Sequence, residues 1–223
     1  MWLATLFSEK KIMICANKLQ TAIEIMDRLR LAYDYLPKWL KPKKAVYNKG
    51  EITFSNKSSI RAFATSSSAS RGFSGSVVII DEMAFIPKNI IDEFFASVMP
   101  VISSAKNSKA IIVSTPNGAS GLYYEIWQQA NSTDASKNVE GWKPFRIDWW
   151  EVPNRDEKWK QQQIATVGMD KWLQEFCNEF AAGSSTQKLI PDDIIEKFRR
   201  RIAELKTTGE IKGKIQKITS ETN

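Results

Sequence analysis

The run Val77-Val78-Ile79-Ile80-Asp81-Glu82 constrains this chain most, because an unbroken apolar stretch ends abruptly in two adjacent carboxylates. A continuous β-branched run suits a strand covered on both faces, the usual condition of a parallel sheet with crossover helices. Ligands of such sheets bind beyond the carboxyl ends of the strands. Asp81 is therefore expected where a metal and phosphates sit, and Glu82 where a carboxylate can polarise an attacking water. The same two residues also suit a plainer role, capping the helix that follows.

A second buried run, Ala110-Ile111-Ile112-Val113, ends in Ser114-Thr115-Pro116-Asn117-Gly118. Small hydroxyls just after a core strand suit a sensor of the γ-phosphate, and Pro-Asn-Gly turns the chain at once. Two strands that end in polar groups at one edge have the form of a Walker B strand and its neighbour in a nucleotide-hydrolysing sheet.

Lysine and arginine exceed aspartate and glutamate by 32 to 25, a net charge of +7 that favours a polyanionic partner. With no histidine, imidazole catalysis and histidine-ligated zinc are excluded. Cys15 and Cys177 match no metal-ligand spacing and read as reduced core thiols of a cytosolic protein. No stretch reaches the roughly 18 apolar residues of a membrane span, and the N-terminus lacks the pattern of a signal peptide.

Along the chain, residues 2–7 read as the tail of a helix and Ile12-Met13-Ile14-Cys15 as a strand. Asn17 with Gln20 is the expected cap of the next helix, which Pro37 stops. Short strands are expected at 46–48, 51–54 and 60–64, then a Ser-rich loop over 65–76. After the carboxylate pair a helix is expected from Pro87 into Ala96, and another over 122–130. Residues 145–150 look strand-like, and helices are expected over 156–167 and 169–181, where Trp149, Trp150, Trp159 and Trp172 read as packing rather than a base-stacking surface. A charged helix over 192–206, with Arg199-Arg200-Arg201 as a solvated face, and a mobile Lys-rich tail over 207–223 complete the reading.

The order Asn48-Lys49-Gly50, Ser70-Arg71-Gly72, the 77–87 segment, Pro100-Val101-Ile102-Ser103-Ser104 and Ser114-Thr115-Pro116-Asn117-Gly118 closely resembles the large terminase subunit of tailed bacteriophages, over about residues 1 to 190. The resemblance implies an α/β fold: an ASCE, RecA-like P-loop NTPase with a mostly parallel sheet, flanking helices and a small helical lid subdomain. It implies an ATPase core over 1–145, the lid-like part over 146–186, and a linker helix and tail over 187–223 leading toward a nuclease domain. By the same resemblance Glu82 is the catalytic carboxylate, Asp81 the Mg²⁺ residue, and Ser114-Thr115 the nucleotide-coupling motif. Arg71 corresponds to a loop arginine that reaches a neighbouring subunit's nucleotide; pairing with a local carboxylate is its plainer role. ATP and Mg²⁺ are the implied cofactors. Double-stranded DNA, the procapsid portal protein, the small terminase subunit and further copies in a ring are the implied partners, in the cytoplasm of the infected host.

Two departures stand beside the match. The sequence contains no Gly-x-x-x-x-Gly-Lys-Ser/Thr phosphate loop, and it stops before the first metal-binding aspartate of the family's nuclease. The expectation is an internal fragment of the ATPase region, inactive by itself. Two other readings remain: a superfamily 2 helicase-like ATPase fragment, and a non-catalytic DNA- or portal-binding module using Lys38 to Lys44 and Arg199 to Arg201.

Overall fold

Strand β1 (Lys11–Ala16) is central because its apolar residues serve two cores at once: Ile12, Ile14 and Ala16 point to one face of the sheet, Met13 and Cys15 to the other. The computed structural model describes residues 1–66, 75–104 and 108–180. Arg71 with most of the Ser-rich loop, and everything expected beyond residue 180, lie outside the described residues.

Helix α1 (Trp2–Leu6) precedes β1, and helix α2 (Leu19–Asp34) follows it. Strands β2 (Lys44–Tyr47), β3 (Glu51–Phe54) and β4 (Ser59–Ala64) come next, then β5 (Val77–Asp81), helix α3 (Lys88–Ser104), β6 (Lys109–Val113) and helix α4 (Leu122–Ala130). Helices α5 (Glu157–Val167) and α6 (Met169–Glu175) complete the described chain. The six strands form one sheet in the order β2-β3-β4-β1-β5-β6. β4, β1, β5 and β6 run parallel, while β2 and β3 form the antiparallel excursion expected of the short strands.

On one face α1 and α2 cover Ile12, Ile14, Ile60 and Val77 through Ala4, Ala22 and Met26. On the other, α3 and α4 cover Met13, Val78 and Ile80 through Ile91, Phe94, Val98 and Ile126. The chain is thus a three-layer α/β structure. Each buried Ile or Phe side chain contributes on the order of 1.5–3 kcal/mol through removal from water.

Four expectations are corrected. Residues 145–150 pair with no strand: Phe145 is 82% exposed, and the chain closes into a 3-10 turn at Trp149–Glu151. The segment is instead held from α6's far side: Arg146 donates to the Cys177 carbonyl at 2.6 Å and Asn178 to the Ile147 carbonyl at 2.7 Å, while Arg146 Nε pairs with both Asp148 oxygens at 2.8 and 2.9 Å. Asn17 does not cap α2, whose N-cap is Lys18; its amide is drawn across the sheet edge to the Phe85 carbonyl at 3.4 Å. Helix α6 ends at Glu175 rather than 181, and α3 runs on to Ser104 through Pro100, which lacks the N–H of a helical donor. Three of the four tryptophans pack as expected: Trp172 is 2% exposed, with Phe176, Trp149 and Trp159 at centroid distances of 4.9, 5.4 and 5.8 Å, whereas Trp150 is 58% exposed.

Ser58 holds the corner before β1. It is fully buried, accepts from the Lys10 amide at 3.0 Å and donates to the Phe7 carbonyl at 2.7 Å. Ser58→Ala leaves the Lys10 amide without its acceptor, while the Phe7 carbonyl keeps the Asn56 amide at 3.1 Å, and a loss of about 1–3 kcal/mol is expected in urea unfolding.

Candidate active site

β5 and β6 run in register, Ile80 opposite Ile112 and Asp81 opposite Val113, so Asp81-Glu82 and Ser114-Thr115 leave the sheet side by side. Beyond Asp81 the chain bends sharply. Glu82 takes the left-handed conformation, φ 52° and ψ 40°, and a 3-10 turn Met83–Phe85 follows. Such a conformation costs a non-glycine residue on the order of 1–2 kcal/mol. Burial of Met83, 1% exposed among Ile80, Ile86 and Phe94, offsets it. The Glu82 side chain makes no capping hydrogen bond, so the plainer capping role is not what this corner uses.

Hydrogen bonds knit the three strand ends together. The Ala84 amide donates to Ser114 Oγ at 3.1 Å, and that hydroxyl donates to the Thr115 carbonyl at 2.8 Å. Asn117 donates to the Ala84 carbonyl at 3.1 Å, Tyr123 OH to the Ser114 carbonyl at 2.9 Å, and Asn17 to Phe85 from the end of β1. Gly118, at φ 79°, supplies the positive angle that turns the chain after Asn117. Thr115 Oγ1 donates to Glu175 Oε2 at 3.0 Å, and Gln174 Nε2 to the Pro116 carbonyl at 2.7 Å.

The edge is electrically under-compensated. Burial pushes the Asp81 carboxyl above its ordinary range, opposed by the Glu82 amide and by Arg28 on α2. Glu82 is also pushed up, first by burial, then by Asp81 and Glu175; Tyr123 follows, by burial and the charge of Glu82. Among the described residues no group of three or more acidic or thiol side chains is arranged to hold a metal ion unaided. Mg²⁺ needs no such cage, since it is usually held by one or two carboxylates together with phosphate oxygens and water. Partly desolvated Asp81 fits that chemistry.

Beside this edge lies a groove of about 980 Å³ that follows residues 108–116 and is also lined by Glu82, Tyr123 and Glu175. β6 is the last strand of the sheet, with no partner along its outer side among the described residues. On the face covered elsewhere by α2, its Ile111 and Val113 are 45% and 51% exposed, although β1 and β5 are well buried there.

Of the residues singled out in the sequence, the structure brings together Asp81, Glu82, Ser114 and Thr115, and Arg71 lies outside the described residues. Asn17 was singled out only as a helix cap, and Tyr123, Gln174 and Glu175 were not singled out. No local pattern marks them for the site, because they reach the edge from the end of β1, from α4 and from α6.

Because the folded state raises the carboxyls of Asp81 and Glu82, their ionised forms disfavour folding above the ordinary carboxyl range, and the penalty vanishes as pH falls below it. Glu82→Gln is therefore expected to raise the thermal midpoint at pH 7, the gain shrinking to nothing at strongly acidic pH. Melting curves across that range check it.

Residues 1–191 match the family described as "Terminase large subunit, T4likevirus-type, N-terminal". Solved structures with this fold include the large terminase ATPase domain of Thermus phage P74-26, at 18% identity and a TM-score of 0.58 over 81% of this chain and 80% of that one. A large terminase of another thermophilic bacteriophage, in complex with ADP, aligns at 14% identity and a TM-score of 0.56 over 81% of this chain and 43% of its own. The HK97 bacteriophage large terminase aligns at 14% identity and a TM-score of 0.54, over 91% of this chain and 38% of its own. The chain therefore spans less than half the length of these two whole large terminases.

Proposed function

The chain belongs to the family of the T4-like-virus-type large terminase subunit, the DNA-packaging motor, matching its N-terminal ATPase region, and from that premise we propose that the β5–β6 edge is the hydrolytic half of its nucleotide site. The observation that carries the reading is the shared exit of Asp81-Glu82 and Ser114-Thr115 from two adjacent parallel strands.

In this reading Asp81 holds Mg²⁺, which when bound neutralises charge on the β- and γ-phosphates of ATP. Glu82 takes the proton of the attacking water. Its carboxylate lines the groove beside the edge, and its partial desolvation keeps it basic. Ser114 and Thr115 join this corner to the next turn and so respond to the phosphate. Arg71 serves as the charge-stabilising arginine of a neighbouring subunit's site.

A phosphate loop, from whatever segment, would fit the free side of β6. A further parallel strand laid against the free side of β6 would end beside Glu82. The right-handed rule for crossovers would then carry its helix over the exposed Ile111 and Val113, toward α1. We take residues 1–145 as the ATPase core and 146–186 as a lid-like subdomain, with 187–223 as linker. The working partners are ATP, double-stranded DNA, the portal protein, the small subunit and further copies of the chain in a ring, in the host cytoplasm.

Two measurements test the reading. The chain by itself is expected to show no ATP turnover and only weak Mg-ATP binding by calorimetry, since backbone amides and the lysine of a phosphate loop supply most of the phosphate affinity. Micromolar affinity would sink that expectation. In a longer protein carrying such a loop, Glu82→Gln is expected to slow hydrolysis by about 10² to 10⁴ while nucleotide binding survives. Parental turnover in that variant would reduce Glu82 to a strand-end carboxylate. There, too, Thr115→Ala is expected to keep ATP binding and abolish DNA packaging.

A further inference from the structure

The basic stretch Lys38 to Lys44 takes no part in the nucleotide edge and lies at the other end of the sheet. α2 runs back from the end of β1, and β2 pairs antiparallel with β3 as β3 does with β4, so Lys44 starts β2 where the parallel strands also start. β2 is the first strand in the sheet order, with β5 and β6 at the opposite margin. Between residues 34 and 47 four lysines, at 38, 41, 43 and 44, meet a single carboxylate, Asp34. That carboxylate is engaged: it accepts from Tyr47 OH at 3.2 Å and has Lys44 at 4.0 Å. The next carboxylates along the chain, Asp27 and Glu51, are paired with Arg30 and Arg61. Lys38 and Lys43 are exposed and enter no ion pair among the described residues.

Two rings stand out from this stretch on a fixed base. Trp39 is 83% exposed and Tyr35 81%, and neither contacts another ring among the described residues. Trp39 sits on a 3-10 turn, Lys38–Leu40, closed by the Leu40 amide on the Pro37 carbonyl at 2.9 Å. Tyr33, 3% exposed, donates to the Pro42 carbonyl at 2.7 Å, and its ring holds the Lys41 and Lys44 ammonium groups at 5.4 and 5.3 Å. An isolated exposed apolar residue calls for no explanation. Two rings among four lysines, with one carboxylate already engaged, form a platform with a chemistry of its own.

We propose that Trp39 and Tyr35, together with Lys38, Lys41, Lys43 and Lys44, form a binding surface for single-stranded nucleic acid, bases stacking on the rings and phosphates lying along the lysines. Every base has a flat face that an indole accepts without regard to sequence, and the lysines supply the charge that follows a phosphate chain. The bases of a duplex are stacked on one another and offer Trp39 no free face, so the rings select unpaired strands while the lysines alone do not. An acidic peptide would satisfy the lysines and leave the rings without a partner. A membrane surface asks for a broad apolar helix face, which a three-residue turn does not present. The surface stands apart from the β5–β6 edge and does not rest on the nucleotide reading.

Fluorescence anisotropy of a labelled oligothymidylate about ten nucleotides long, within the usual footprint of a single-strand site, tests this on the chain as it stands. Affinity is expected to fall with salt at a log–log slope of about −2 to −3, for three or four phosphates at roughly 0.7 each. Trp39→Ala is expected to weaken binding by roughly 5- to 100-fold at unchanged slope, the worth of one stacked base, and Trp39→Phe to recover most of it. The same Trp39→Ala variant should bind a duplex of equal length as the parent does. Lys38→Gln combined with Lys43→Gln should flatten the slope by about 1.4. These side chains are exposed, so the thermal midpoints should stay parental and lost binding is not lost folding. Oligouridylate should bind within a few-fold of oligothymidylate, since stacking and charge are indifferent to the sugar. Unchanged oligothymidylate affinity in Trp39→Ala, an equal loss toward duplex, or a slope untouched by the lysine changes overturns the proposal. So does polyglutamate or an anionic phospholipid vesicle that binds more tightly than oligothymidylate with the same dependence on Trp39.

Discussion

Two-sided burial of β1 and β5 is the constraint on which the remainder depends. Strands with apolar side chains on both faces need helices on both faces, and parallel pairing then makes β4, β1, β5 and β6 end at one edge. The polar strand ends of the candidate site are delivered to that edge by this single arrangement. Asn17 arrives from β1, Asp81 and Glu82 from β5, and Ser114 and Thr115 from β6. None of them is near another in sequence except within its own strand end.

The edge concentrates unfavourable features that the packing beneath it sustains. Glu82 sits in a left-handed conformation, two carboxyls are pushed above their usual range by burial, and the charge of a third, Glu175, adds to the effect on Glu82. Met83 and Ile86, buried directly after the bend, fix the backbone firmly enough to hold it so. Strain and like charge held in place by a rigid core are common where a protein must bind a strongly charged ligand.

Much of the fold was legible because the signals were short-range. The β-branched runs marked β1, β5 and β6, Pro37 marked the end of α2, and Lys49-Gly50 marked the hairpin between β2 and β3. The errors came where distant contacts decided. Phe145-Arg146-Ile147 alternates like a strand, but the bonds of Arg146 to the Cys177 carbonyl and of Asn178 to the Ile147 carbonyl, each 31 residues away, hold it apart from the sheet. Asn17 has the composition of a cap, yet a carbonyl 68 residues away claims its amide. Within the site, Asp81, Glu82, Ser114 and Thr115 were readable from strand ends, whereas Glu175 and Gln174 are ordinary helix residues until the chain brings them beside Thr115 and Pro116.

The two thiols fall in different packing units, Cys15 within the central strand and Cys177 at the corner after α6, and both are buried. Burial pushes Cys15 up to about 12, so at neutral pH it exists almost wholly as the unreactive thiol. Cys177 is pushed up as well, first by burial and then by Glu179 and Asp148. An alkylating reagent can therefore reach each sulfur only when its own surroundings open. The chain carries a chemical clock in each unit: adduct formation at Cys177 times the loosening of the tryptophan cluster, and adduct formation at Cys15 times the parting of the sheet itself.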